Sequence, residues 1–339
     1  MEYFHFSEPE QQSNPDLEKK TSRAVSRVGL ALFVFMLVST VASLVIQLLT
    51  KFIQPELFEA DWYNWTVTIF SLYVVAAPFT YLILRPLEKE NLPKRRLSAK
   101  TFLIFLFIGF LLMTLGSIIG QNINRFIERF AGEQESSITE AIRGSALWLS
   151  CLYSLIIAPV MEELFFRKFL VDRLSFLGDI ACVILSGVAF GLFHGNIEQF
   201  FYAALLGGLL AYVYLKTGNL LYTILMHGIV NFFGGILPTI VEYLLPVDFF
   251  SCATDAELEA LIEANPLSFI CLMAVSYLPY LFAIIGLVFL VLYWRKLKQG
   301  LTPCPLAPRT RAHAILANPG AILYLVITLL SIVATIFLA

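Results

Sequence analysis

Charged residues are scarce in this chain of 339 residues: only 14% are Asp, Glu, Lys or Arg, against about 25% in an average soluble domain. The formal net charge is −2, so no basic surface for nucleic acid is indicated. The five cysteines are scattered and form no CxxC pair, which gives no sign of a disulfide framework or a cysteine-based zinc site. These absences exclude a secreted disulfide scaffold and a nucleic-acid binder.

Apolar residues instead make up 58% of the chain, which includes 30 Phe. A soluble globule could not cover so much apolar surface with so few charges, so we expect most of the chain to lie in lipid. The predicted fold is an all-α, polytopic membrane helix bundle of about nine spans. The predicted spans are 28–49, 63–84, 101–120, 145–166, 180–194, 199–215, 220–243, 267–294 and 320–338.

Basic residues in the loops predict the orientation of the bundle. With nine alternating spans, 18 Lys and Arg fall on the side of the N-terminus and 4 on the opposite side, and cytoplasmic loops normally hold the excess. The sequence therefore predicts a multi-pass protein of the cell membrane, with the N-terminus in the cytoplasm and the C-terminus outside. We expect 1–27 to be a cytoplasmic tail before a retained anchor, 28–144 to be N-terminal spans, 145–243 a four-helix core, and 244–339 C-terminal spans.

Ionisable residues inside the spans are concentrated in the predicted core. A charge at the centre of a span costs about 2.5–3.5 kcal/mol by insertion scales, so its position is informative. The fourth span carries Glu162, Glu163 and Arg167, the fifth ends at His194, and the seventh carries His227 and Asn231, whereas the first three and last two spans carry essentially none.

Helical spacing gives each of these residues a structural and a functional interpretation. Glu163 and Arg167 are four positions apart and can form an ion pair that only neutralises itself. Glu162 points about 100° away from Glu163 around the helix, and a carboxylate without an in-helix partner suits general-base chemistry. His227 and Asn231 share a helix face and could merely join two helices, and His194 could be an interfacial residue. Together, however, they supply a base for water and donors for an oxyanion, as amide hydrolysis requires.

Three motifs in this region resemble those of one family. Glu162-Glu163-Leu-Phe-Phe-Arg167 resembles EExxxR, Phe190-Gly-Leu-Phe-His194 resembles FxxxH, and His227-Gly-Ile-Val-Asn231 resembles HxxxN. Their order is similar to that of the CAAX-protease and bacteriocin-processing (CPBP, or Abi) family of glutamate-type intramembrane endopeptidases. The HExxH, GxSG and GxGD signatures of other intramembrane proteases are absent from the sequence.

The resemblance implies cleavage of a membrane-associated peptide or protein within the bilayer. Carried over by position, Glu162 and His194 would activate water, His227 and Asn231 would hold the oxyanion, and Glu163 with Arg167 would orient the site. Members are often labelled metalloproteases, so zinc held by Glu162, His194 and His227 is an open alternative to a mechanism without a cofactor. The residues slightly favour the mechanism without a cofactor.

Two other functions fit the composition. A non-catalytic immunity or scaffold protein of the same fold would be free to lose Glu162 or His194, yet the motif set is complete. A proton-coupled transporter would spread ionisable residues along a path through the bundle, whereas five of the nine spans carry essentially none.

Overall fold

The computed structural model describes residues 15–132, 145–245, 247, 249, 252 and 254–337, and these form helices and no strands. The helices are α1 (Pro15–Ile53), α2 (Tyr63–Leu84), α3 (Ala99–Ala131), α4 (Leu147–Leu177), α5 (Asp179–Phe193), α6 (Ile197–Thr217), α7 (Leu220–Leu244), α8 (Asp255–Ala264), α9 (Pro266–Lys298), α10 (Pro308–Leu316) and α11 (Pro319–Phe337). The predicted all-α membrane bundle is confirmed.

Eight of these helices are long and apolar enough to cross a membrane; α5, α8 and α10 are not. Helix α5 has 15 residues and is about 22 Å long, short of the roughly 30 Å hydrocarbon core. The predicted fifth span at 180–194 is therefore a real apolar helix, but length alone does not qualify it as a full crossing.

Three segments outside the predicted spans are helical. Helix α1 begins at Pro15, so part of the predicted tail 1–27 is helical and continuous with the first span. Helix α10 begins at Pro308, a residue suited to the first turn of a helix. Helix α8 carries a capping box, in which Thr254 and Glu257 cap the first turn reciprocally.

Contacts between helices show how their directions relate. Helices α5 and α6 form an antiparallel hairpin, with Asp179 beside Lys216 at 2.9 Å. Helices α1 and α11 run parallel: the Asn318 amide donates to the Ser22 carbonyl at 2.7 Å, and further along Gly195 approaches both Met36 and Ser331. We count every helix longer than ten residues as one pass through the membrane. The two relations then agree with helices whose direction alternates along the chain.

Small residues let helices α5 and α6 of the predicted core approach closely. A methyl group at Gly187 or Gly191 of α5 would lie 2.6 Å from a backbone oxygen of α6, closer than real side chains come. The chain then turns sharply at Gly195, where φ is +65°, a conformation that favours glycine. This hairpin fixes the position of His194 at the end of α5.

Candidate active site

Helix α4 carries the two glutamates and the arginine in the middle of the bundle. Glu163 and Arg167 are fully buried, and the Arg167 guanidinium contacts both Glu163 carboxylate oxygens, at 2.8 Å through Nε and 3.1 Å through Nη2. The same guanidinium donates to Ser186 Oγ of α5 at 2.9 Å. The predicted ion pair is present, and it also ties α4 to α5.

The His227 imidazole of α7 lies between the two glutamates. Its Nδ1 is 3.2 Å from Glu163 Oε1, and its Nε2 is 3.8 Å from Glu162 Oε2. Because Glu163 is held by Arg167, its carboxylate is an acceptor, so Nδ1 of His227 donates to it. The other nitrogen, Nε2, faces Glu162 at a distance too long for a direct hydrogen bond.

The His194 side chain makes a hydrogen bond to the backbone of its own helix, α5. Its Nδ1 lies 2.9 Å from the carbonyl oxygen of Phe190, one turn earlier in α5. A carbonyl only accepts, so Nδ1 carries the proton and Nε2 of the neutral ring keeps its lone pair. The spacing of FxxxH thus prepares His194 to accept a proton.

Asn231 supplies a hydrogen-bond donor that α4 lacks because of Pro159. Around residues 153–157 the helix has a π turn, in which the Ala158 N–H bonds to the Tyr153 carbonyl. Pro159 has no N–H, so the Ser154 carbonyl lacks both of its possible backbone donors. The Asn231 amide donates to that carbonyl at 2.9 Å and thereby fastens α7 to α4.

The charges of this buried cluster nearly cancel. With Glu162, Glu163 and Arg167 ionised, the net charge is −1, and one further proton makes the cluster neutral. The Glu162 carboxylate faces the His227 imidazole, with 3.8 Å between Oε2 and Nε2. A net charge is costly inside a membrane protein, so the close grouping of these ionisable side chains is favourable.

The structure thus joins Glu162, Glu163, Arg167 and His227 through direct contacts or near approaches. Asn231 lies one turn from His227, and His194 reaches the cluster through Phe190, whose ring lies 5.0 Å from the His194 ring and 5.7 Å from that of His227. Sequence reasoning missed Ser186 and this role of Phe190, although Phe190 is the first residue of FxxxH.

The residues named as possible zinc ligands are Glu162, His194 and His227. Within the described part of the chain, no group of three or more His, Cys, Asp or Glu side chains is arranged to hold a metal ion. In both histidines Nδ1 is hydrogen-bonded, to Glu163 in His227 and to the Phe190 carbonyl in His194, and Nε2 is the remaining ring nitrogen.

Comparison with known proteins agrees with the motifs. Residues 144–233 match the family described as type II CAAX prenyl endopeptidase Rce1-like. The chain is also 27% identical over 178 residues to a Bacillus subtilis (strain 168) protein named "Putative membrane peptidase YdiL", covering 50% of this chain and 69% of that protein. No solved structure matches the chain.

Proposed function

We propose that this chain is an intramembrane endopeptidase acting on a membrane-associated peptide or protein, from the premise that residues 144–233 match the Rce1-like family of type II CAAX prenyl endopeptidases. The observation that carries the proposal is the Glu162–His227 pair. A carboxylate and an imidazole, 3.8 Å apart and buried among apolar helices, can exchange a proton where water is otherwise excluded.

The proposed mechanism assigns each side chain by the hydrogen bonds it already makes. Glu162 takes a proton from water as the water oxygen attacks the scissile carbonyl. The unprotonated Nε2 of His194 helps to activate the same water molecule. His227, protonated on Nε2, donates to the oxyanion, while Nδ1 remains on Glu163. The proton held by Glu162 then passes to the leaving amine. We propose that these steps proceed without a metal ion.

Asn231 has a second possible role in this scheme. Its amide group has two N–H bonds, and one donates to the Ser154 carbonyl. The other N–H is available to the oxyanion, in keeping with the role that the motif implies. Glu163 and Arg167 orient His227 and do not touch the substrate.

The test is a comparison of membrane proteins and released peptides in cells that express wild type, Glu162→Gln or Glu259→Gln. Glu162→Gln keeps the size of the side chain and removes the base, so we expect peptides released by wild type to disappear. Glu259→Gln makes the same change on the exposed helix α8 and should release the wild-type set.

The result also separates the proposal from its rivals. Retained cleavage by a folded Glu162→Gln protein would remove Glu162 from the mechanism. A non-catalytic scaffold would give the same peptides with all three proteins. A transporter would show a difference between wild type and Glu162→Gln in solute flux into vesicles, and none in released peptides.

A further inference from the structure

Helices α1 and α2 form a groove with polar walls outside the three motifs. Its volume is about 410 Å³, which is within the range of ligand sites in proteins. Six of its eight lining residues carry a hydroxyl or a carboxamide and none carries a charge; they are Ser39, Thr40, Ser43, Leu44 and Gln47 of α1, with Thr68, Ser71 and Leu72 of α2. We call this feature the α1–α2 groove.

The threonines of these two helices differ according to whether they line the groove. A threonine hydroxyl in a helix commonly bonds to a carbonyl of the preceding turn. The four outside the groove all do so, at 2.8 to 3.2 Å; they are Thr21, Thr50, Thr66 and Thr80. Within the part of the chain that the structure describes, Thr40 and Thr68 make no hydrogen bond through their hydroxyls. Both hydroxyls are therefore left for a partner in the groove.

Serine and glutamine side chains add to the polar character of the groove. Ser71, in the π turn Phe70–Ala76, is only 2% exposed, and its hydroxyl has no partner among the described residues. At the open side, the Gln47 amide donates to Ser43 Oγ at 3.0 Å, and its carbonyl oxygen remains an acceptor. The groove thus offers uncharged donors and acceptors on helices that face lipid, where such groups are unfavourable without partners.

The inner end of the groove lies close to the candidate active site. The Phe35 ring of α1 packs against Phe165 of α4 and Phe193 of α5, with centroid separations of 5.1 and 5.5 Å. Phe193 immediately precedes His194, and Phe165 follows the second glutamate by two residues. Ser39 begins the groove four residues after Phe35, about 6 Å farther along α1 by helical rise.

The chemistry of the groove favours one kind of occupant, an extended peptide. A lipid acyl chain has no polar group, and an intact transmembrane helix has already paired its backbone groups. An extended segment within the bilayer has unpaired N–H and C=O groups, and hydroxyl and carboxamide groups bond to both. From residue 39 to residue 47, α1 rises about 12 Å, which is the length of about four extended residues.

On the premise of the proposed function, we propose that the α1–α2 groove binds the main chain of the peptide substrate in an extended conformation, beside the bond that is cleaved. The hydroxyls of Thr40 and Thr68 bond to its backbone groups. Because these groups are common to all residues, the groove selects substrates by how readily a segment leaves the helical conformation and not by its side chains.

Two pairs of Thr→Val substitutions test the proposal, since valine is close to threonine in size and lacks the hydroxyl. Thr40→Val with Thr68→Val removes both unbonded hydroxyls of the groove. We expect release of Glu162-dependent peptides from vesicles of the expressing cells to slow by about tenfold or more, as for two lost hydrogen bonds. The matched control, Thr50→Val with Thr66→Val, alters the same two helices outside the groove and should stay within twofold of wild type. Both pairs should keep the wild-type unfolding temperature in detergent.

Photo-crosslinking identifies the occupant directly. A diazirine amino acid replaces Leu44, which lines the groove, or Val45, which is exposed at the same depth on the opposite face of α1. Both proteins also carry Glu162→Gln, so that bound substrate is not cleaved. We expect position 44, and not position 45, to capture membrane proteins whose peptides the wild type releases.

Four outcomes would overturn the inference. The first is a rate within twofold of wild type for the groove pair, and the second is a slower rate together with a lower unfolding temperature that the control pair lacks. The third is capture at position 44 of only lipid, a second copy of this chain or proteins that the wild type does not cleave. The fourth, identical peptide release by wild type and Glu162→Gln, would remove the proposed function itself, whereas the first three leave it standing.

Discussion

Single residues of the site make two kinds of contact, and the sequence anticipates one of them. The ion pair of Glu163 with Arg167 lies within one helix and follows from spacing. The contact of His194 with the carbonyl four positions earlier also lies within one helix, but it was not predicted. Contacts between helices do not follow from spacing, because no periodicity indicates which helices are neighbours. His227 between two glutamates and Ser186 beside Arg167 are of this second kind.

Arg167 provides a prediction at this scale. Arg167→Ala should lower the free energy of unfolding by about 3–5 kcal/mol, because Glu163 would stay buried without its cation. Thermal and denaturant unfolding in detergent measure the loss, and Arg96→Ala, at an exposed loop position, is the control. Wild-type stability of a folded Arg167→Ala protein would contradict the structural importance of the pair.

At the scale of whole helices, some features were predictable from the sequence and others were not. The long helices were predictable from their apolar runs. The close approach of α5 and α6 at their small residues is a finding of the structure. The π turns were not predictable, because a π turn depends on how neighbouring helices supply the hydrogen bonds that it frees. Pro159 lies inside α4 and determines where the Asn231 side chain binds, because it leaves the Ser154 carbonyl without a backbone donor.

This relation between Pro159 and Asn231 predicts an energetic coupling. Asn231→Ala should cost about 1 kcal/mol of stability, since it leaves the Ser154 carbonyl without a donor. Pro159→Ala restores a backbone N–H that can serve that carbonyl, so Asn231→Ala should cost less in the Pro159→Ala background. A double-mutant cycle of unfolding free energies measures the difference. Equal costs in the two backgrounds would show that the two residues act independently.

The whole molecule has one end where several loops meet. Backbone hydrogen bonds join the loop after α2 to α4 and α6, from Glu90 to the Asp172 carbonyl and from Arg95 to the Thr217 carbonyl, each at 2.7 Å. Lys216 reaches the Gly300 carbonyl at 2.7 Å, which adds the segment after α9. These are loops that the basic residues predicted to share one side of the membrane.

Cysteine labelling would test the membrane topology, in a protein lacking the five native cysteines. Between Lys94 and Glu259 the chain passes along α3, α4, α5, α6 and α7, so the two positions lie on opposite sides if α5 counts as a pass. The excess of basic residues predicts that Lys94→Cys labels from the cytoplasm and Glu259→Cys from outside. Both positions are exposed, so a difference in labelling reflects sidedness and not burial. Labelling of both from one side would mean that α5, at about 22 Å, enters the bilayer and returns without crossing.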